Sequence, residues 1–283
     1  MRFMMIIAVS FMTLSGCGGG LGNYSTLQLK TPSRYSTEGW AYNVKKSKKD
    51  TGIVYLHGKR GDPDTHHSSL FISKMTDLGY QIIAPIMPWS EVRGYSGTQQ
   101  QGMEIINAAV NSLTTQKVVI IGHSMGGMAV IQYGAKKVSP KVIGLIPVAA
   151  AHDPHSSGKI HEASMHDVGT ACKMYKNGKG KEYGSFADVN MGRTSTIYAT
   201  AEYYCTFYSL VHYPGSLQIA ENIRTPMFVL SGDEDGLSYV YRHEQIYTDL
   251  PKSNKNKYAT MTGDHLSVLY KHTNAISHWI DSL

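Results

Sequence analysis

One short run of residues has the types and spacing for nucleophilic chemistry. Gly122-His123-Ser124-Met125-Gly126 sets a serine between glycines two positions away on either side. A serine hydroxyl is a weak nucleophile at neutral pH. It needs a general base beside it, and that base needs a carboxylate to orient it and to balance its developing charge. The chemistry so built is acyl transfer through a covalent serine intermediate. The five-residue pattern alone is weak: with 28 glycines in 283 residues, chance supplies roughly 0.3 such matches. Its flanks discriminate. Lys117 to Ile121 reads as a near-continuous apolar strand, and residues 125 to 137 read as a helix opening at once, with Gly127 close behind. Ser124 therefore falls on a strand-to-helix turn. Small neighbours tolerate a strained backbone there, and the helix N-terminus adds partial positive charge where an oxyanion would develop.

The elements that must hold this turn alternate along the chain. Ile53 to Leu56 is a short apolar strand ended by His57-Gly58, and residues 67 to 78 show helical periodicity stopped by Gly79. Gln81 to Ala84 is the next strand, closed by Pro85. Residues 98 to 113 place Met103, Ile106, Val110 and Leu113 on one helical stripe, and Val142 to Ile146 is a further strand. The rhythm resumes with a strand at Met227 to Leu230, a helix near 239 to 249, a strand near Tyr258 to Met261, and a last helix from Leu266 toward Ile280. Strand and helix in alternation predict an α/β domain with a mostly parallel sheet and helices on both faces. Residues 151 to 215 lack a sheet rhythm and exceed an ordinary connection, so they read as an inserted cap.

These features resemble the α/β-hydrolase fold family over residues 53 to 283. The Gly-His-Ser-Met-Gly-Gly run from Gly122 to Gly127 is like the nucleophile elbow of its lipases and esterases. The resemblance implies a chain order of serine, acid, histidine. It points to Asp235 as the acid, at the end of a Gly-x-x-Asp starting at Gly232, with Asp233 in reserve, and to His265 as the base, after the last strand. His243 lies too near Asp235, and His272 and His278 fall on the terminal helix. His57-Gly58 resembles the family's oxyanion loop, which implies oxyanion donors in the backbone N–H groups of Lys59 and Met125 and a structural role for His57 itself. The loop with Pro85, Pro88, Trp89, Arg93 and Gly94 resembles the family's loop after its fourth strand. It lacks the Asp usual there, which leaves the subfamily open.

The cap holds a second group that invites chemistry. His152, Asp153, His155, His161, Glu162 and His166 contain no H-E-x-x-H, because His161 and His166 are five apart and do not share a helix face. They read as a solvated or substrate-rim group, so no metal is expected. Tyr198, Tyr203, Tyr204 and Tyr208 read as cap core, with an acyl-binding wall as the alternative. The formal charge of +6 comes from 27 Lys and Arg against 21 Asp and Glu. These basic residues are scattered and form no aromatic-interleaved stripe, which argues against nucleic-acid binding.

The N-terminus reads as an export signal. Arg2 and an apolar run from Phe3 to Met12 precede Leu14-Ser15-Gly16-Cys17, which resembles the lipobox of bacterial lipoproteins. The expectation is a signal peptide over 1–16, a lipidated Cys17, a flexible tether over 17–30, and a hydrolase domain over 31–283 anchored by lipid at the bacterial cell envelope. Three cysteines less Cys17 leave Cys172 and Cys205, either a disulfide stapling the cap or two buried thiols. The function expected is a cofactor-independent serine hydrolase acting on a carboxylic ester, a small molecule or a lipid. Peptidase, thioesterase or acyltransferase chemistry, and an inactive envelope protein that binds a glycan, peptide or lipid, are the alternatives.

Overall fold

The structure is a computed structural model that describes residues 11–12, 24–43, 47–136 and 138–283. The expected signal peptide, apart from residues 11 and 12, and the lipobox with Cys17 lie outside the described residues. One sheet organises the chain. Its antiparallel side is formed by β1 (Phe11–Met12), β2 (Tyr24–Lys30) and β3 (Ser36–Tyr42). After β4 (Thr51–Leu56) come α1 (His66–Asp77), β5 (Ile82–Pro85), α2 (Gln99–Ser112), β6 (Lys117–His123), α3 (Met125–Gly134) and β7 (Val142–Val148). The strand order is β1-β2-β3-β5-β4-β6-β7, continued by β10 (Phe228–Gly232) and β11 (Lys257–Met261), with β5 through β11 in that order all parallel.

Side-chain alternation explains why the central strands are apolar throughout. Ile53, Tyr55, Val119 and Ile121 face one layer, with Phe71 and Met75 of α1. Val54, Leu56, Val118 and Ile120 face the other, with Ile106 of α2 and Met128 of α3. A strand covered by helices on both faces has no polar side to show. The first layer is completed by the last two helices, α9 (Ser267–Lys271) and α10 (Thr273–Asp281), through Val268, Leu269 and Trp279.

The sequence expectation needs correction at three places. The tether expected over 17–30 does not reach residue 30, because Tyr24–Lys30 is strand β2, paired along its full length with β3. Leu27 and Leu29 are buried while their neighbours Gln28 and Lys30 are exposed, the period-two signature of a strand with one covered face. The helix expected over 239–249 is two pieces, α7 (Leu237–Val240) and α8 (His243–Asp249), because Arg242 takes a left-handed backbone (φ 51°). The cap carries sheet structure of its own. Helix α4 (Gly158–Met174) is followed by an antiparallel hairpin of β8 (Tyr183–Asn190) and β9 (Arg193–Thr200), then α5 (Ala201–Tyr208) and α6 (Ser216–Ile219). Phe186, Ile197 and Ala199 bury one face of that hairpin, and Phe186 stacks on Tyr204 with ring centres 4.5 Å apart. Tyr203, Tyr204 and Tyr208 are cap core, whereas Tyr198 is exposed. Cys172 and Cys205 form a disulfide that joins α4 to α5.

Candidate active site

The serine turn is held by close backbone approach. Ser124 adopts φ 53° and ψ −118° between β6 and α3, a conformation costing a non-glycine residue about 1–3 kcal/mol. Gly122 and Gly126 permit it. A Cβ at Gly122 would run into the Gly126 carbonyl, and one at Gly126 into the Leu56 carbonyl of β4. The G-x-S-x-G glycines are thus sites where backbone packs on backbone. Ser124 N–H donates to the Val148 carbonyl at 3.0 Å, and Ala151 N–H donates to the Ser124 carbonyl at 3.0 Å, so the turn is pinned from the β7 side as well.

The carboxyl ends of three strands converge on this serine. Ser124 Oγ lies 3.0 Å from His265 Nε2, and His265 Nδ1 lies 2.9 Å from Asp235 Oδ2. A carboxylate only accepts, so Nδ1 carries the proton and Nε2 presents its lone pair to the serine hydroxyl. Asp235 Oδ1 accepts the Leu237 N–H at 3.0 Å, which fixes the second carboxylate oxygen at the start of α7. Asp235 and His265 are both buried. His123 Nε2–H donates to the His265 carbonyl at 2.8 Å and holds that loop down onto β6. Asp233 goes elsewhere: it is exposed, and its Oδ1 accepts the Gly263 N–H at 2.9 Å. Asp264 likewise accepts the Leu266 and Ser267 N–H groups and shapes the loop into α9.

The two expected oxyanion donors flank the same serine. Gly58 packs so tightly on the elbow that a Cβ there would sit 3.2 Å from both Ser124 Cβ and His123 Nδ1. Met125 N–H opens α3, where the first amides have no intrahelical acceptor. Among the described residues, neither it nor Lys59 N–H donates to a protein acceptor. His57 is a brace: Nδ1–H donates to the Gly58 carbonyl at 2.8 Å, Nε2 accepts Met87 N–H at 3.0 Å, and the His57 carbonyl accepts Trp89 Nε1–H at 2.8 Å. The loop carrying Pro88 and Trp89 is therefore wired to the His57-Gly58 loop, a role its sequence did not announce.

A cleft of about 240 Å³ opens over Ser124 and His265. The cap roofs it with Ile160 of α4 and the hairpin tip Val189 to Gly192, while Leu237, Val240 and Tyr241 wall the other side. Of the cap group, His152 reaches the cleft lining. Its Nε2–H donates to the Phe207 carbonyl at 3.1 Å, and His155 Nε2–H donates to the Tyr213 carbonyl at 2.8 Å. Asp153 accepts from His155 N–H and from both the N–H and Oγ–H of Ser216. Asp153 and His155 are thus tied into the cap, while His152 both braces the cap and lines the cleft. Among the described residues only Cys172, Cys205 and His212 approach as a metal-ligand group, and the two cysteines are bonded to each other. A larger hollow of about 400 Å³ between Tyr247 and Asn256 carries no comparable set of groups. No helix among the described residues is long and apolar enough to cross a membrane.

The chain matches no family model and no curated protein in sequence. Solved structures superimpose over almost all of it. An esterase of Pyrococcus furiosus, Pf2001, aligns with a TM-score of 0.60 at 13% identity, over 92% of this chain and 90% of that one. The α/β hydrolase GrgF of a Penicillium species gives 0.68 at 13%, over 92% and 97%. The chain has the α/β-hydrolase fold. A thioesterase domain of the curacin biosynthetic pathway, at 0.61 and 15% identity over 93% and 100%, shares this fold too. In an α/β-hydrolase fold, ligands meet the carboxyl ends of the parallel strands, which is where Ser124, Asp235 and His265 stand together.

Burial around the site has a consequence for acid stability. Desolvation lowers the buried ring of His57 and the partly buried ring of His67 to about 4, and the buried ring of His152 to about 3. It also pushes His123 and His243 below the ordinary value of 6.5. In the unfolded chain these rings titrate near 6.5, so between pH 6.5 and 4 the unfolded state binds protons that the folded state refuses. Stability is full above pH 6.5 and declines as pH falls. His57 alone accounts for about 3 kcal/mol by pH 4. Urea midpoints measured from pH 7 to 4 are expected to drop steeply below 6.5. A midpoint that stays level down to pH 4.5 would show that these rings protonate within the native state.

Proposed function

We propose that this protein is a serine hydrolase that cleaves carboxylic esters through an acyl-enzyme. The observation carrying the reading is the continuous relay of Ser124, His265 and Asp235, with links of 3.0 and 2.9 Å. His265 Nε2 accepts the Ser124 proton as Oγ attacks the ester carbonyl, and Asp235 orients the ring and stabilises the imidazolium. The Lys59 and Met125 amides receive the oxyanion. A single donor of this kind typically contributes about 2.7–4 kcal/mol to the barrier. Collapse of the tetrahedral intermediate breaks the ester C–O bond, and His265 returns its proton to the departing alkoxide. Water then attacks the acyl-enzyme by the same route, with His265 taking its proton, and the acid leaves. The groups needed are all side chains and amides of this chain.

The cleft supports a small acyl group. At about 240 Å³ it falls below the roughly 300–1,000 Å³ usual for drug-sized ligands, and Ile160, Val189, Leu237 and Val240 give it an apolar wall. A series of p-nitrophenyl esters tests both parts of the reading. The acetate and butyrate are expected to turn over with kcat/KM at least about tenfold above the palmitate, a difference of about 1.4 kcal/mol for chain that finds no pocket. Preference for the palmitate would remove the small-acyl assignment. Failure to hydrolyse any member would remove the esterase reading.

A further inference from the structure

Lys59 has two ends with different duties. Its amide is the oxyanion donor on the reading above, and its side chain runs into the cap. Nζ donates to Asp188 Oδ1 at 2.6 Å and to the Val189 carbonyl at 2.7 Å, both on strand β8 of the hairpin. Tyr208 of α5 donates its hydroxyl to the same Oδ1 at 2.6 Å. The Lys59 and Asp188 side chains are 5% and 0% exposed, so this pair is desolvated. The residue after Asp188 begins the hairpin segment that roofs the cleft, where Met191 and Gly192 turn the chain with φ of 49° and 74°.

We propose that Asp188 is a positioning residue: through Lys59 it seats the oxyanion loop against Ser124, so that the roof of the cleft and the oxyanion hole are set together. This rests on the esterase reading of the site and adds to it a cap residue some 64 positions beyond the nucleophile, since 188 − 124 = 64. The opposite side of the loop is already fixed. Arg60 N–H donates to the Trp89 carbonyl at 3.0 Å, Gly61 N–H donates to the Gly58 carbonyl at 3.2 Å, and His57 is braced by Met87 and Trp89. Lys59 is the member of the loop held from the cap side.

Stability is a poor reason for such a pair. Two desolvated charges recover their hydration only in excellent geometry, and replacing them by neutral groups is often neutral or favourable. Here the geometry is incomplete, because Asp188 Oδ2 is buried with no partner among the described residues. Both cap and core donors converge on one carboxylate oxygen, an arrangement that specifies where Lys59 sits.

The test uses the whole protein with p-nitrophenyl butyrate and a fluorophosphonate probe. Wild-type labelling at Ser124 reads the catalytic assignment by itself. In Asp188→Asn, kcat and the labelling rate are expected to fall together about 10- to 100-fold, with KM within about threefold, because a displaced amide costs the transition state and spares ground-state binding. The double variant Lys59→Met/Asp188→Asn buries no charge. Its melting temperature is expected to recover relative to Asp188→Asn while kcat stays low. Wild-type kcat in folded Asp188→Asn, or recovery of both stability and kcat in the double variant, would overturn the proposal and leave the esterase reading standing. An unlabelled and inactive wild type overturns both.

Discussion

Ser124→Ala is expected to lower kcat on p-nitrophenyl butyrate by about 10⁶-fold and to abolish fluorophosphonate labelling, with the fold unchanged. The size follows from the unit character of a serine triad: removing the nucleophile costs about as much as removing all three members. The residual rate comes from the two amides of Lys59 and Met125, which still polarise a carbonyl for attack by water. The fold should survive because only Oγ is lost. The strained turn is held by Gly122 and Gly126 packing on backbone and by the amide and carbonyl of Ser124 bonded to Val148 and Ala151. Relief of one hydroxyl in a half-buried site leaves those contacts in place, so the melting temperature should stay within a few degrees. Retention of more than one part in a hundred of the activity would show that another group attacks the carbonyl, and the reading would fall.

Asp235→Asn is the second large effect, with kcat expected to fall about 10⁴-fold. The amide keeps the shape of the carboxylate but loses its charge and offers N–H where an acceptor is needed. His265 Nδ1, 2.9 Å away, would then be driven to the tautomer that protonates Nε2, so the ring could no longer accept the Ser124 proton. Leu237 N–H, bonded at 3.0 Å to the other oxygen, keeps the side chain in place, so the loss is chemical rather than conformational. Asp233→Asn is the internal comparison. Its carboxylate is exposed and binds the Gly263 N–H, so its replacement should change kcat by no more than a few-fold. Equal effects at the two positions, read from kcat at pH 8, would move the acid away from Asp235.

The fold was legible in the sequence wherever burial is two-sided. Runs such as Ile53 to Leu56 and Val118 to Ile121 are apolar throughout because helices cover both faces. The antiparallel side was harder. Strand β2 shows its nature only in the alternation at Leu27 and Leu29, beside a glycine-rich run that reads as a tether. The cap hairpin was hidden for the same reason: one face packs on tyrosines, the other is polar, and no long apolar run results. The helix expected across residues 239 to 249 fails at Arg242, because a single left-handed residue leaves no mark on hydrophobic periodicity.

At the site, the glycine-flanked serine between a strand and a helix named the nucleophile, because a strained turn requires small neighbours, and the chain order implied by the α/β-hydrolase resemblance named the acid and the base. Two acids in one turn, Asp233 and Asp235, could be separated only by the direction each side chain takes in three dimensions. Among the thirteen histidines the implied chain order pointed to His265, and the structure shows what surrounds each of the others. His57, His123 and His243 are buried braces and His265 faces Ser124, a distinction set by which backbone carbonyls and amides surround each ring. Lys59 shows the limit most clearly. Its place after His-Gly, which resembles the family's oxyanion loop, marked its amide, and that place is fixed by the local chain. The grip of Asp188 on its side chain joins positions 129 residues apart, and nothing in either neighbourhood encodes it. Chemistry and local geometry are properties of neighbours in sequence. Distances between strand ends, and the seating of a cap over them, arise only when the sheet and its insertion pack.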